Sequence, residues 1–360
     1  MLKSFRYLFI PFALVYGVII RLRNLLFDFN IIKSASFNFP IICIGNLAVG
    51  GTGKTPMTEY IIEELKNEYK IATLSRGYKR KTKGFAVANN TTTALEIGDE
   101  PMQFHRKFPE VVVAVGEERV VAIPQILFQY PNTEAIVLDD AFQHRSVKSG
   151  LNILLTDYNN LYTRDLMFPA GDLRDIKSSQ KRADIIVVTK CKTNLDDFEK
   201  GALIKEINPL SHQKVFFTKM VYSRPYHLFN HVEINIEPKN HILLLCGIAN
   251  PKPIKKYLSA NVHSYDMIKF PDHHIFTTDD LLEIKAQFGK ILSSNKIILT
   301  TEKDAVRLEK FQNELQYFPI FVLPVKHEFL FNENLEFDNS LRTFIDSFKK
   351  SKTISQSLNN

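Results

Sequence analysis

Gly50, Gly51 and Gly53 stand directly before Lys54 and Thr55 in the run Ala48-Val49-Gly50-Gly51-Thr52-Gly53-Lys54-Thr55. These residue types at this spacing can cradle phosphate. Glycines free the backbone to turn its N–H groups towards phosphate oxygens. Lys54 then sets a point charge on the β- and γ-phosphates, and Thr55 offers its hydroxyl to Mg²⁺. All of residues 48–55 are therefore expected nucleotide contacts. The strict G-x-x-x-x-G-K-T pattern has Gly in its first position; here that residue is Ala48, and Gly50 and Gly51 are expected to compensate. The same chemistry needs an acid at the end of a buried strand. AIVLDD (135–140) supplies one, and Asp139, directly after the apolar run, is the expected Mg²⁺ ligand together with Thr55.

Further polar clusters follow other apolar runs: Ser75 to Lys81, strongly basic; Gly98-Asp99-Glu100-Pro101; Asp140 to Arg145; Phe168 to Arg174; and Phe270-Pro271-Asp272-His273-His274. The His pair does not read as a metal site, because adjacent His side chains diverge and helical zinc ligands are spaced i,i+4. Cys43, Cys191 and Cys246 lie far apart without C-x-x-C spacing, which fits a reducing compartment rather than a cysteine zinc site. The net charge of +7 implies an anionic partner or surface. Nucleic acid is not the expected one, since the basic stretches match no recognised module.

The elements that must position these residues follow from patterning. FPIICIG (39–45) reads as a buried strand, then the phosphate loop, a helix over about 54–68 and a second strand, IATLS (71–75). Further strands are expected at 111–115, 135–138, 151–157, 184–189, 241–247 and 296–300. Strands alternating with helices indicate an α/β fold: a P-loop core on a mainly parallel sheet, plus a smaller C-terminal α/β lobe. The 360 residues suit two domains. The expected divisions are an N-terminal region 1–35, a core 36–225, a second lobe 226–345 carrying FPDHH, and a polar tail 346–360. Residues 7–20 are uncharged and mostly apolar, with Lys3 and Arg6 before and Arg21 and Arg23 after. As helix they cover about 21 Å, short of the ~30 Å hydrocarbon core. No small-x-small cleavage site follows; the pattern resumes as LLFDFNII and continues amphipathically to about residue 32, so the segment reads as an interfacial helix or helix pair, the alternative being a helix packed on the core.

IGNLAVGGTGKTP (44–56), LSRGYKRK (74–81), GDEPMQ (98–103), DDAFQHR (139–145), FPAGDLRD (168–175), FPDHH (270–274) and TTEKDAVRL (300–308) together resemble the lipid A 4′-kinases, or tetraacyldisaccharide 4′-kinases, of Gram-negative bacteria. The resemblance implies ATP and Mg²⁺ as cofactors and γ-phosphoryl transfer to the 4′-hydroxyl of an acylated glucosamine disaccharide 1-phosphate. It also implies work at the cytoplasmic face of the bacterial inner membrane, as a peripheral or monotopic protein. On this sequence, it implies Asp99 as the catalytic acid–base, His273 as its partner, and Lys54 stabilising the transferring group. Tyr78, Arg80, Arg119, His144 and Arg174 become candidate headgroup contacts. Asp172, Asp175 and Ala141 depart from the family's usual pattern. A metallochaperone-like GTPase and a membrane-bound regulator without transfer chemistry are the alternatives. The first lacks its guanine motif: in Thr189-Lys190-Cys191-Lys192, Lys192 stands where Asp is required.

Overall fold

The computed structural model describes residues 6–357; Lys3 and the last three residues of the expected tail lie outside them. Among the described residues two sheets dominate. The larger has nine strands, in the order Val325–Phe329, Lys214–Tyr222, Ile185–Thr189, Leu151–Asp157, Ile41–Asn46, Ala135–Leu138, Ile71–Ser75, Val112–Val115 and Ala86–Val87. Seven of these run parallel and only the two edge strands are antiparallel. Ile41–Asn46 is buried at every residue, as expected of a parallel strand covered on both faces. The helix Lys54–Leu65 covers one face, setting Met57, Ile61, Ile62 and Leu65 into a core with Ile42, Ile44, Val137 and Ile153. That i, i+4 spacing is the apolar stripe of an amphipathic helix.

The second sheet has five strands, Tyr226–His227, Ile320–Leu323, Lys296–Thr301, His241–Cys246 and Ser264–Lys269, with all but the first parallel. Ser264–Lys269 escaped the sequence reading because it is an edge strand: every residue is exposed or half-buried, so no apolar run marks it. After this sheet the chain returns to the first. Val325–Phe329 pairs with Lys214–Tyr222, and the helix Asn334–Ser357 lays Phe337, Leu341 and Ile345 on the phosphate-loop helix's core. The range 226–345 therefore omits a crossing, hidden because VKHEF is short and half polar. The expected polar tail begins inside that final helix.

At the N-terminus a 3-10 turn, Tyr7–Phe9, leads into the helix Ile10–Asp28. Arg21 and Arg23 do not end it and it runs to Asp28, near the expected limit of about 32; by length and composition alone the 22 residues Tyr7–Asp28, more than the run 7–20, could cross a membrane. The helix is nevertheless held to the protein along its whole length. Arg6 donates to Pro169 O (3.3 Å) and Asp172 Oδ1 (2.8 Å), Tyr16 to Arg174 O (3.1 Å) and Asn24 to Asp175 Oδ1 (2.8 Å); Asp28 accepts from Arg145 (2.6 Å). Leu8, Phe12, Leu14, Val15, Val18, Ile19 and Leu22 remain exposed on its other side.

Candidate active site

The residues singled out in the sequence gather at the carboxyl ends of parallel strands, where ligands of open α/β sheets bind. Asn46, Asp139, Ser75 and Thr189 end or follow strands of the large sheet; Phe270, Thr301 and Gly247 do so in the smaller one. The turns after Ile71–Ser75 and Ser264–Lys269, one from each sheet, line one cavity through Tyr78 and His273, together with Asp99 and Arg307.

In the phosphate loop, Gly53 has φ +86°, and a Cβ there would lie 2.9 Å from His327 Nε2. Only glycine tolerates both constraints. His327 bonds to Gly53 O (2.9 Å) and Thr218 Oγ1 (2.9 Å), and burial pushes its pKa down to about 4, so it holds the loop as a neutral imidazole. Gly50 has φ +102°, and a Cβ on Gly50 or Gly51 would meet no atom within 4 Å, so this face of the loop is open. Ala48 forms a bridge with Leu173, and Val49 N donates to Asp172 O (2.7 Å). The FPAGDLRD turn therefore braces the loop at the position where the strict pattern has glycine.

Asp139 and Asp140 differ in role. Asp139 is buried and accepts from Thr58 Oγ1 (3.1 Å); burial, then the neighbouring Asp140 charge, pushes its pKa up to about 7. Asp140, with φ +49°, faces Lys54 Nζ at 3.7 Å and is clasped by Arg174. Burial would raise its pKa, but the Lys54 and Arg174 charges win and hold it below the usual carboxylate range. Arg174 also donates to Asn46 Oδ1 (2.7 Å), so it is built into the phosphate site.

Asp99 opens the helix Asp99–Lys107, directly after Gly98 at φ +97°. It meets His273 across the cleft, Oδ2 to Nδ1 at 2.8 Å. Lys303 Nζ lies 3.0 Å from His273 Nε2. An ammonium can only donate and a carboxylate can only accept, which assigns Nε2 as the unprotonated nitrogen and Nδ1–H as the donor to Asp99; Arg307 Nη2, 3.1 Å from Nδ1, donates to Asp99 Oδ2 instead. Arg307 Nε donates to Asp99 Oδ1 (2.6 Å) and its Nη2 donates to Oδ2. Burial pushes the Asp99 pKa up; the hydrogen bonds from His273 and Arg307 and the guanidinium charge outweigh it, so the net shift is downward. His273 itself has φ +64°, a conformation that costs a non-glycine residue about 1–3 kcal/mol and clusters at functional sites. His274 diverges, bonding to Asp280 Oδ2 (2.9 Å) and stacking on Phe270.

A family model, "Tetraacyldisaccharide-1-P 4'-kinase", matches residues 5–346. The chain belongs to the tetraacyldisaccharide-1-P 4′-kinase family. It is 40% identical to the tetraacyldisaccharide 4′-kinase of Bacteroides thetaiotaomicron, over 96% of this chain and 95% of that one. It is 44% identical to the enzyme of the same name from Flavobacterium johnsoniae, over 94% and 97%. Among solved structures it is similar to the "apo" form of LpxK from Aquifex aeolicus in complex with ATP, with TM-score 0.75 and 29% identity over 96% of this chain and 99% of that one.

The remaining candidates divide. Tyr78 meets the His273 ring edge-on at 5.5 Å. Arg119 is fully buried, donating Nη1 to Gly116 O (2.6 Å), while Nε and Nη2 have no partner among the described residues; burial lowers its pKa to about 10. His144 is held near pKa 4, first by burial and then by the Arg119 and Arg76 charges, so it is neutral. Arg80 is turned into the protein, paired with Glu117 at 2.6 Å, rather than presented to the cleft. Lys303 and Arg307 were missed. Their i,i+4 spacing on the helix Glu302–Leu308, straight after a strand, was the available signal. Glu100 was missed too: it pairs with Lys303 at 3.3 Å and acts electrostatically on Lys54 and Asp139, linking the two halves of the site. The two unusual acids explain themselves. Asp172 and Asp175 are the partners of Arg6 and Asn24 that hold the N-terminal helix.

Proposed function

We propose that the chain transfers the γ-phosphoryl group of ATP to the 4′-hydroxyl of a tetraacyldisaccharide 1-phosphate. The observation that carries this reading is the Asp99–His273 pair, linked through Lys303 and Glu100 to the electrostatics of Lys54, in a member of this kinase family. Asp99 accepts the hydroxyl proton as the acceptor oxygen bonds to phosphorus. Arg307 keeps it ionised until then, and His273 fixes its orientation through Nδ1–H. Lys54 stabilises charge on the transferring group. Arg76, exposed beside His144 and backed by the buried Arg119 charge, suits the anionic headgroup, and Tyr78 suits its sugar face. Asp99 and His273 come from different lobes and already meet at 2.8 Å, so the pair is assembled before substrate binds. Incubation with ATP and the acyl-disaccharide 1-phosphate should add a second phosphate to the lipid. Lys54→Ala should abolish this, and a product phosphorylated elsewhere on the sugar would overturn the assignment.

Mg²⁺ fits the acids present. It is typically held by one or two carboxylates plus substrate phosphates rather than by a protein cage, and no His/Cys/Asp/Glu cage of three or more exists among the described residues. Asp139, a buried carboxylate driven up to about 7, is a group short of positive charge. Asp139 and Thr55 would hold the ion; Asp140 is engaged by Arg174 and Lys54. When bound, Mg²⁺ neutralises charge on the β- and γ-phosphates. The N-terminal helix, gripped by polar contacts at both ends and the middle, is suited to lie in the membrane interface with its outer apolar face in lipid. The cytoplasmic leaflet, where ATP is available, is the proposed surface.

A further inference from the structure

The turn after the strand Ile185–Thr189 reads Thr189-Lys190-Cys191-Lys192. In guanine-selecting P-loop proteins the order is T-K-x-D, with the carboxylate accepting from the N1–H and N2 amino group of the base. The first half of that arrangement is present here. Thr189 Oγ1 donates to Thr52 O (2.8 Å), and Lys190 Nζ donates to Gly51 O and to Asp157 Oδ2 (2.7 Å). Lys190 adopts φ +57° to make these contacts. The turn is thereby fixed against the loop that cradles phosphate, within a nucleoside's reach of it. The second half is inverted. Lys192 is exposed and donates to Glu199 Oε1 (2.7 Å). The neighbouring carboxylates are committed elsewhere: Asp157 to Lys190 and to the Asn159 N–H (2.8 Å), Asp196 to the Glu199 N–H (2.8 Å) as a helix cap.

We infer that the turn 189–192 is the base-binding edge of the nucleotide site, and that Lys192 makes it select adenine over guanine. The inference rests on the phosphate loop being the ATP site. An ammonium has three donors and no acceptor. Adenine meets it with the N1 acceptor, whereas guanine meets it with N1–H and an amino group, donors facing a donor. Discrimination of this kind works by leaving the wrong base unpaired. Lys190, held by Gly51 O and Asp157, has its ammonium committed to the protein and does not discriminate between the bases.

The test is kcat/KM for ATP and for GTP, measured with the full chain and the acyl-disaccharide acceptor. Unaltered protein should prefer ATP. Lys192→Asp should shift the ATP:GTP ratio towards GTP by at least about tenfold, through the nucleotide KM rather than kcat. Lys192→Ala should shift it less, reporting loss of the donor alone. Lys190→Met should raise KM for both nucleotides and leave the acceptor KM unchanged. An ATP:GTP ratio in Lys192→Asp equal to that of unaltered protein overturns the inference. Turnover of ATP by unaltered protein tests the phosphate-loop reading separately, so the two failures are distinguishable.

Discussion

Arg307 clasps Asp99 through both carboxylate oxygens, and this sets the pH range in which the pair can work. Burial alone would raise the Asp99 pKa; His273 and Arg307 reverse that, so the carboxylate stays ionised at neutral pH. Its stabilising contribution is therefore in place above the ordinary carboxylate range and is lost as pH falls through the depressed value. Arg307→Met removes two donors and the charge while burial remains. The acid limb of kcat/KM should then move to higher pH, with His273→Ala moving it less in the same direction. A pH–rate profile measures this, and an unmoved limb in Arg307→Met would show that Asp99 does not act as the base. Asp99 was legible only through the resemblance that GDEPMQ helps to carry, since by itself the stretch reads as an acidic turn. Arg307 was not, because an Arg on a short helix reads as a solvated face until the fold brings it beside a residue some two hundred positions away.

At the scale of elements, the buried parallel strands were the most legible part of the chain. IATLS and LNILLTD match Ile71–Ser75 and Leu151–Asp157 end to end, because both read as short, mainly apolar runs bounded by turns. Edge strands were illegible for the converse reason, Ser264–Lys269 and Val325–Phe329 being half polar. The N-terminal helix was legible in kind and nearly in extent, because the apolar pattern resumes as LLFDFNII after its two arginines, which interrupt the run without breaking the helix. Its exposed face gives a prediction of its own. Leu14, Val18 and Leu22 are 56–66% exposed, so replacing all three with Glu should leave the melting temperature within about 2 °C. The same variant should lose most of its cosedimentation with anionic lipid vesicles. Unchanged vesicle binding would mean that the helix is not the membrane contact.

Across the whole molecule, one buried cluster ties the phosphate-loop helix to the lobe that carries His273. Lys107 Nζ reaches Glu59 Oε2 (2.6 Å) on that helix and Glu302 Oε1 (2.8 Å) at the start of the Lys303–Arg307 helix. Burial, and then the Glu302 charge, pushes the Glu59 pKa up to about 7. Lys107→Met leaves two buried carboxylates facing each other without a cation, which typically costs about 3–5 kcal/mol. The loss should grow as pH rises through 7, because ionisation of the pair is what Lys107 supports; melting curves at pH 6 and pH 8 would reveal it. An equal loss at both values would argue that packing, not charge, joins the lobes there. The transfer step turns on the Asp99–His273 pair that meets across this join. Isothermal titration with an ATP analogue, paired with single-turnover phosphorylation of the acyl-disaccharide 1-phosphate, tests it on Asp99→Asn. Nucleotide affinity should be unchanged and transfer slowed at least about 100-fold. Near-normal transfer by Asp99→Asn would contradict it.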